Sequence, residues 1–225
     1  MEWNEIKLNK NQTGYSNKGQ PLFDKKYLTA LNFHKEGLAA VADGSGAYHI
    51  DIKGKPIYDK RYLRTFGYYY NKAAVIDYDG AYHIDLKGQA IYKERYKWTG
   101  NYQQNVCTVK DQGSAYFHID ENGKRLYDES FQYAGDFKEA IACVQLQNNF
   151  FTHIYNDGSR VHNKLFQDLN VYHKGLACAK DEQGWFHIDL KGNPIYKERY
   201  LLLEPFYNGA ALATDLDGNK TIIFD

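Results

Sequence analysis

Five of the eight histidines in this chain share one register: His49, His83, His118, His153 and His187 each stand directly before an Ile. In four of the five an Asp follows that Ile: Asp51, Asp85, Asp120 and Asp189. Imidazoles recurring at a fixed interval, each with a carboxylate two residues on, are a set that could ligate a metal or hold an anion. A residue copied into every repeat also has a simpler cause, which is packing. The fourth copy favours that cause, because it keeps His153 and puts Tyr155 where the Asp should be. No metal and no cofactor is expected, and the five imidazoles stand as candidate binding residues only.

Other residues with chemical potential are less regular. Trp98, in "KWTGNYQQN", and Trp185 break the repeat, as does "NNFFTH" at 148–153. Function needs asymmetry, and a Trp beside amides suits a sugar or a peptide, so both tryptophans are candidate binding residues. "DYDG" (Asp77, Asp79) and "DLDG" (Asp215, Asp217) resemble the start of a Ca²⁺ loop. They lack the third alternating oxygen and the terminal Glu, and read as hairpin turns. Lys26, Arg61, Arg95 and Arg199 each precede an aromatic residue and read as a solvated face, a carboxylate pair or a stack on a ring. There is no GxxxxGK(S/T), HExxH, GxSxG or dinucleotide fingerprint. Acids are numerous, so a carboxylate-dependent hydrolase is kept as the alternative to a chain without chemistry of its own.

The elements that must position these residues also repeat. The Gly of "HIDxxG" recurs at Gly19, Gly54, Gly88, Gly123, Gly158 and Gly192, with spacings of 35, 34, 35, 35 and 34. Four residues after it comes Phe23, Tyr58, Tyr92, Tyr127, His162 or Tyr196, and eight after it another aromatic. Farther on stands a small residue: Ala39, Ala73, Cys107, Ala142, Ala177 or Ala211. "YHID" alternates as a strand does, "DLKG" is a tight turn, and "GLAAV" or "IACV" is a second strand. About four short strands per repeat and no helical period are expected. The 225 residues therefore read as one all-β repeat domain, 1–225, most simply a six-bladed β-propeller, with an open β-solenoid or superhelix as the alternative. "NKTIIFD" looks like the strand that the first repeat lacks, so the C-terminal segment is expected to complete the first blade; residues 1–13 are left unplaced.

Composition bounds the rest. Hydrophobic residues make up 43% and aromatics 16% of the chain, with 21 tyrosines, which is ample for a core. Twenty-eight basic and 28 acidic side chains offer no basic surface to a nucleic acid. No run approaches a membrane span and no secretory leader is read, and three widely spaced cysteines suit a reducing, cytoplasmic setting.

The turn "HIDLKG" and the segments "FHKEGLAAV" and "FYNGAALA" resemble the WG-repeat family of bacterial β-repeat proteins. The Trp position of that family is filled here only by Trp185, with Ala47, Ala81, Tyr116 and Phe151 elsewhere. The resemblance implies a scaffold that recognises a protein or a glycan. Similar repeats beside methyltransferase-like domains imply an accessory or recognition role, and the family brings no catalytic residues to carry over.

Overall fold

A computed structural model describes residues 2–225. Its 21 strands form seven three-stranded sheets, each with its strands in chain order. The first is Ile6–Leu8, Tyr15–Asn17 and Gln20–Leu22. The second is Thr29–Ala30, Leu38–Asp43 and Gly46–Asp51; the third is Arg64–Tyr69, Lys72–Asp77 and Gly80–Ile84. The fourth is Trp98–Thr99, Cys107–Lys110 and Tyr116–Ile119; the fifth is Tyr133–Ala134, Ile141–Gln145 and Phe151–Tyr155. The sixth is Asp168–Leu169, Ala177–Asp181 and Gly184–Ile188; the seventh is Leu202–Leu203, Ala210–Thr214 and Lys220–Phe224. The result is an all-β succession of three-stranded β-meanders, with one 3₁₀ turn at Trp3–Glu5 among the described residues. No helix among them is long and apolar enough to cross a membrane.

The chain divides into two compact units, 1–114 with 119–124, and 115–118 with 125–225. The division falls within the fourth sheet. In the first unit a core gathers Ile6, Tyr15, Tyr27, Phe33, Val41, Tyr48 and Ile50. In the second, Phe166, Leu169, Tyr172, Phe186 and Ile188 belong to one core cluster.

Three expectations are corrected. Each sheet has three strands, not four. The expected fourth strand closes on a single residue pair whether or not it contains Pro: Ile50 bridges Pro56 and Ile84 bridges Ala90, with one bond from Ile57 or Ile91 N–H to the His49 or His83 carbonyl. The C-terminal segment does not complete the first sheet: residues 220–224 pair with 210–214, Ala211 opposite Ile223. The unplaced N-terminal residues instead supply it, Ile6–Leu8 pairing antiparallel with Tyr15–Asn17. Six sequence repeats thus become seven sheets. The repeat frame and the sheet frame are out of phase, since every Gly anchor after Gly19 follows the last strand of one sheet and each small residue lies in the middle strand of a sheet.

The columns have physical causes. Ile50, Ile84, Ile119, Ile154 and Ile188 are fully buried, each contributing about 1.5–3 kcal/mol. The third strands of the second to sixth sheets are covered on both faces, so Tyr48 and His49 are buried alike, whereas Gln20–Leu22 and Lys220–Phe224 are largely exposed. The Gly anchors have a left-handed backbone, and all but Gly19 combine it with close packing. Gly88 has φ +75°, and a Cβ there would lie 2.4 Å from the ring of Tyr58, the aromatic of the preceding repeat. The small column is equally tight: Cys107 Sγ is 3.8 Å from His83 Nε2 of the sheet before it.

Candidate functional site

The five repeated imidazoles are almost wholly buried, with 0–1% exposure. In each, Nε2 bonds a main-chain carbonyl of the following sheet: His49 to Phe66 (2.7 Å), His83 to Gly100 (3.0 Å), His118 to Gly135 (2.8 Å), His153 to Asn170 (2.9 Å) and His187 to Glu204 (3.0 Å). A carbonyl only accepts, so Nε2 bears the proton and Nδ1 is the acceptor. Nδ1 receives the hydroxyl of Tyr58, Tyr92, Tyr127 or Tyr196, the aromatic four residues after the Gly. In the fifth sheet His162 replaces that tyrosine, 3.2 Å from His153. An aromatic of the next sheet packs on the imidazole, Tyr68 on His49 and Phe206 on His187, the latter with centroids 4.1 Å apart. Burial holds His49, His83, His118 and His153 down at about 4, in the neutral form. Neither ring nitrogen is left for a ligand, so the column fastens sheet to sheet.

The accompanying carboxylates are also engaged. Asp51 accepts the N–H groups of Lys53 and Lys55, Asp85 those of Lys87 and Gln89, and Asp189 those of Lys191 and Asn193. Asp215 caps its turn the same way. Arg61, Arg95 and Arg199 lie over the rings of Tyr48, Tyr82 and Phe186 at 4.0, 3.6 and 3.7 Å. Arg199 also pairs with Asp181.

The residues that stand apart from this scaffold meet in the second unit. A cleft of about 520 Å³ between the first strands of the sixth and seventh sheets is lined by Trp185, Asp168, Asn170, Leu203, Glu204 and Lys220, among others. The matching cleft in the first unit, about 410 Å³, has Ala47 where this one has Trp185. A second cleft of the second unit, about 340 Å³, is lined by Tyr133, Leu169, Asn170, Lys138, His173 and Tyr207. Asn170 lines both, so the two adjoin. Lys138 Nζ lies 3.1 Å from His173 Nδ1, and the His173 ring tilts against Tyr207 with centroids 5.0 Å apart. Tyr133 and Tyr207 are 45% and 61% exposed.

Of the sequence candidates, Trp185 therefore lies in this groove and the histidine column is buried within the third strands of the sheets. Trp98, 46% exposed, opens the fourth sheet opposite Lys110 in the first unit and is not among the groove residues. Sequence reasoning missed Lys138, His173 and Tyr207. Each directly follows the aromatic that packs on an imidazole (Phe137, Tyr172, Phe206), and that register was the available signal.

No family model matches the chain, and no curated protein matches it. Among solved structures it is similar to the computationally designed Ika8 protein, with 13% identity and a TM-score of 0.53 over 98% of this chain and 80% of that one. BamB from Moraxella catarrhalis aligns at 14% identity and TM-score 0.47, over 96% of this chain and 78% of that one. The WD40 β-propeller domain of Doa1 aligns at 8% and 0.40, over 96% and 88%. These likenesses concern the fold alone.

Proposed function

We propose that this chain is a non-catalytic binding scaffold of propeller type whose ligand, a protein segment or a glycan, lies along the groove of the second unit. The observation behind the reading is a division of labour. The repeated polar residues bond one another inside the sheets, whereas Trp185, Lys138, His173 and Tyr207 converge on two adjoining clefts. Concave surfaces with aromatic walls and a few polar groups are where ligands bind. The WG-repeat resemblance belongs to this proposal, as does a cytoplasmic setting, which three buried cysteines outside any disulfide suit. An accessory role beside a separate enzyme would use the same groove.

The test is a binding screen of an oligosaccharide array and a peptide library, repeated with Trp185→Ala and Tyr207→Ala. A ligand that binds the parent and is lost from both variants supports the groove. A ligand bound equally by all three proteins moves the site elsewhere.

A second reading, the carboxylate-dependent hydrolase, rests on Asp168 and Glu204 lining the same cleft. It requires turnover that Asp168→Asn and Glu204→Gln each abolish.

A further inference from the structure

The smaller cleft differs in charge from its neighbour. Its lining, among the described residues, holds one lysine and one histidine and no carboxylate, whereas the Trp185 cleft contains Asp168 and Glu204. Lys138 and His173 hold their nitrogens 3.1 Å apart, so the ammonium donates to Nδ1 and the imidazole carries its proton on Nε2. The remaining ammonium hydrogens and that N–H are donors with no acceptor demand of their own. Exposed tyrosine rings flank them, Tyr133 on the fifth sheet and Tyr207 in the connection between the first two strands of the seventh. Donors of positive charge between flat apolar faces suit a ligand that is ringed, hydroxylated and anionic.

The edge between the clefts discriminates between a peptide and a sugar. Asp168–Leu169 is an outermost strand, where an extended peptide would add by main-chain pairing. The groups that such a peptide needs are taken. The Leu169 N–H bonds its neighbour's carboxylate, Asp168 Oδ1, at 2.8 Å, and the Leu169 carbonyl accepts the Cys143 thiol at 3.1 Å. The edge is therefore closed to strand addition, while the side chains above it remain open.

Resting on the binding-scaffold reading, we infer that the cleft of Tyr133, Lys138, His173 and Tyr207 is an anion subsite for the carboxylate of an acidic saccharide, with the sugar chain continuing past Asn170 toward Trp185. Lys138 and His173 meet the carboxylate, the two tyrosines flank the ring that bears it, and Trp185 contacts the neighbouring residue of the chain.

The experiment is calorimetric titration of the whole chain with oligogalacturonate, oligohyaluronate and sialyllactose. Methyl-esterified oligogalacturonate, the same sugar without charge, and the peptide library serve as comparators. The expected result is binding of at least one acidic saccharide, about ten-fold weaker for its ester and for Lys138→Met. Lys138 is exposed, so the variant is expected to keep the melting temperature of the parent. Equal binding of acid and ester, or indifference to Lys138→Met, overturns the anion subsite and leaves the scaffold standing. Binding of peptides alone, lost with Trp185→Ala, overturns the saccharide and again leaves the scaffold. No binding by any probe overturns the inference, and failure of the Trp185→Ala comparison with every ligand found overturns the scaffold reading as well.

Discussion

Nδ1 of His83 accepts the hydroxyl of Tyr92 at 2.5 Å while Nε2 of the same ring donates to the carbonyl of Gly100. One side chain thus joins the turn that follows its own strand to the first strand of the next sheet. Because the carbonyl takes the proton on Nε2, Nδ1 can accept the Tyr92 hydroxyl only while the imidazole is neutral.

Acid should therefore unfold this protein early. An unfolded histidine titrates at about 6.5, whereas His49, His83, His118 and His153 are held at about 4 by burial. Above pH 6.5 neither state binds the proton and stability is full. As pH falls from 6.5 to 4 the unfolded state takes up protons that the folded state refuses, and stability is lost at roughly 5 kcal/mol per pH unit for the four together. Asp43 and Asp77, held below the usual carboxylate range chiefly by Lys25 and Lys60, add a further loss only at lower pH. Thermal melts from pH 7.5 to 4.5 check this; a melting temperature flat across that range would contradict the buried neutral imidazoles.

Tyr92→Phe is expected to cost about 1–3 kcal/mol, since it removes only the donor and leaves His83 Nδ1 buried and unpaired. Urea midpoints at pH 7.5 measure it. Tyr70→Phe, at an exposed position outside the fastening, is the matched comparison and should change little.

Two glycines of one column separate backbone strain from packing. Gly19 has φ +81° and open space around a would-be Cβ, so Gly19→Ala should cost about 1 kcal/mol. Gly88 has nearly the same φ, but its Cβ would enter the Tyr58 ring, and Gly88→Ala should cost several times as much. Equal losses in chemical denaturation would show that the contact with the ring is unimportant.

Tyr27 illustrates a polar atom without a role. Its hydroxyl is buried and has no hydrogen-bond partner among the described residues, while its ring packs against Tyr15. Tyr27→Phe keeps the ring and should raise stability by about 1 kcal/mol. A lower urea midpoint for the variant would mean that the hydroxyl is satisfied in solution.

Much of this fold could be read from residues. The Gly anchors, the Asp-capped turns and the small column were legible because each follows from a local backbone or steric demand that recurs every 34–35 residues. The first sheet was not, because Ile6–Leu8 has no repeated counterpart and its pairing with Tyr15–Asn17 is a fact of three dimensions. The histidines drew notice as potential chemistry, yet their partners lie nine and 17 residues away, a separation that means nothing until the sheets are built. The groove was legible only at Trp185, the one filled Trp position. Lys138, His173 and Tyr207 occupy one register with three different side chains, so no column marks them.

The fastening from each histidine always reaches the main chain 17 residues ahead, in all five copies. It asks nothing of the recipient's side chain, only a carbonyl in the right place. A segment duplicated in tandem would arrive with its own latch and meet a ready keeper in whatever follows. Such a gene can grow or shrink by whole units and remain foldable at each step, with its exposed positions free to diverge toward new ligands.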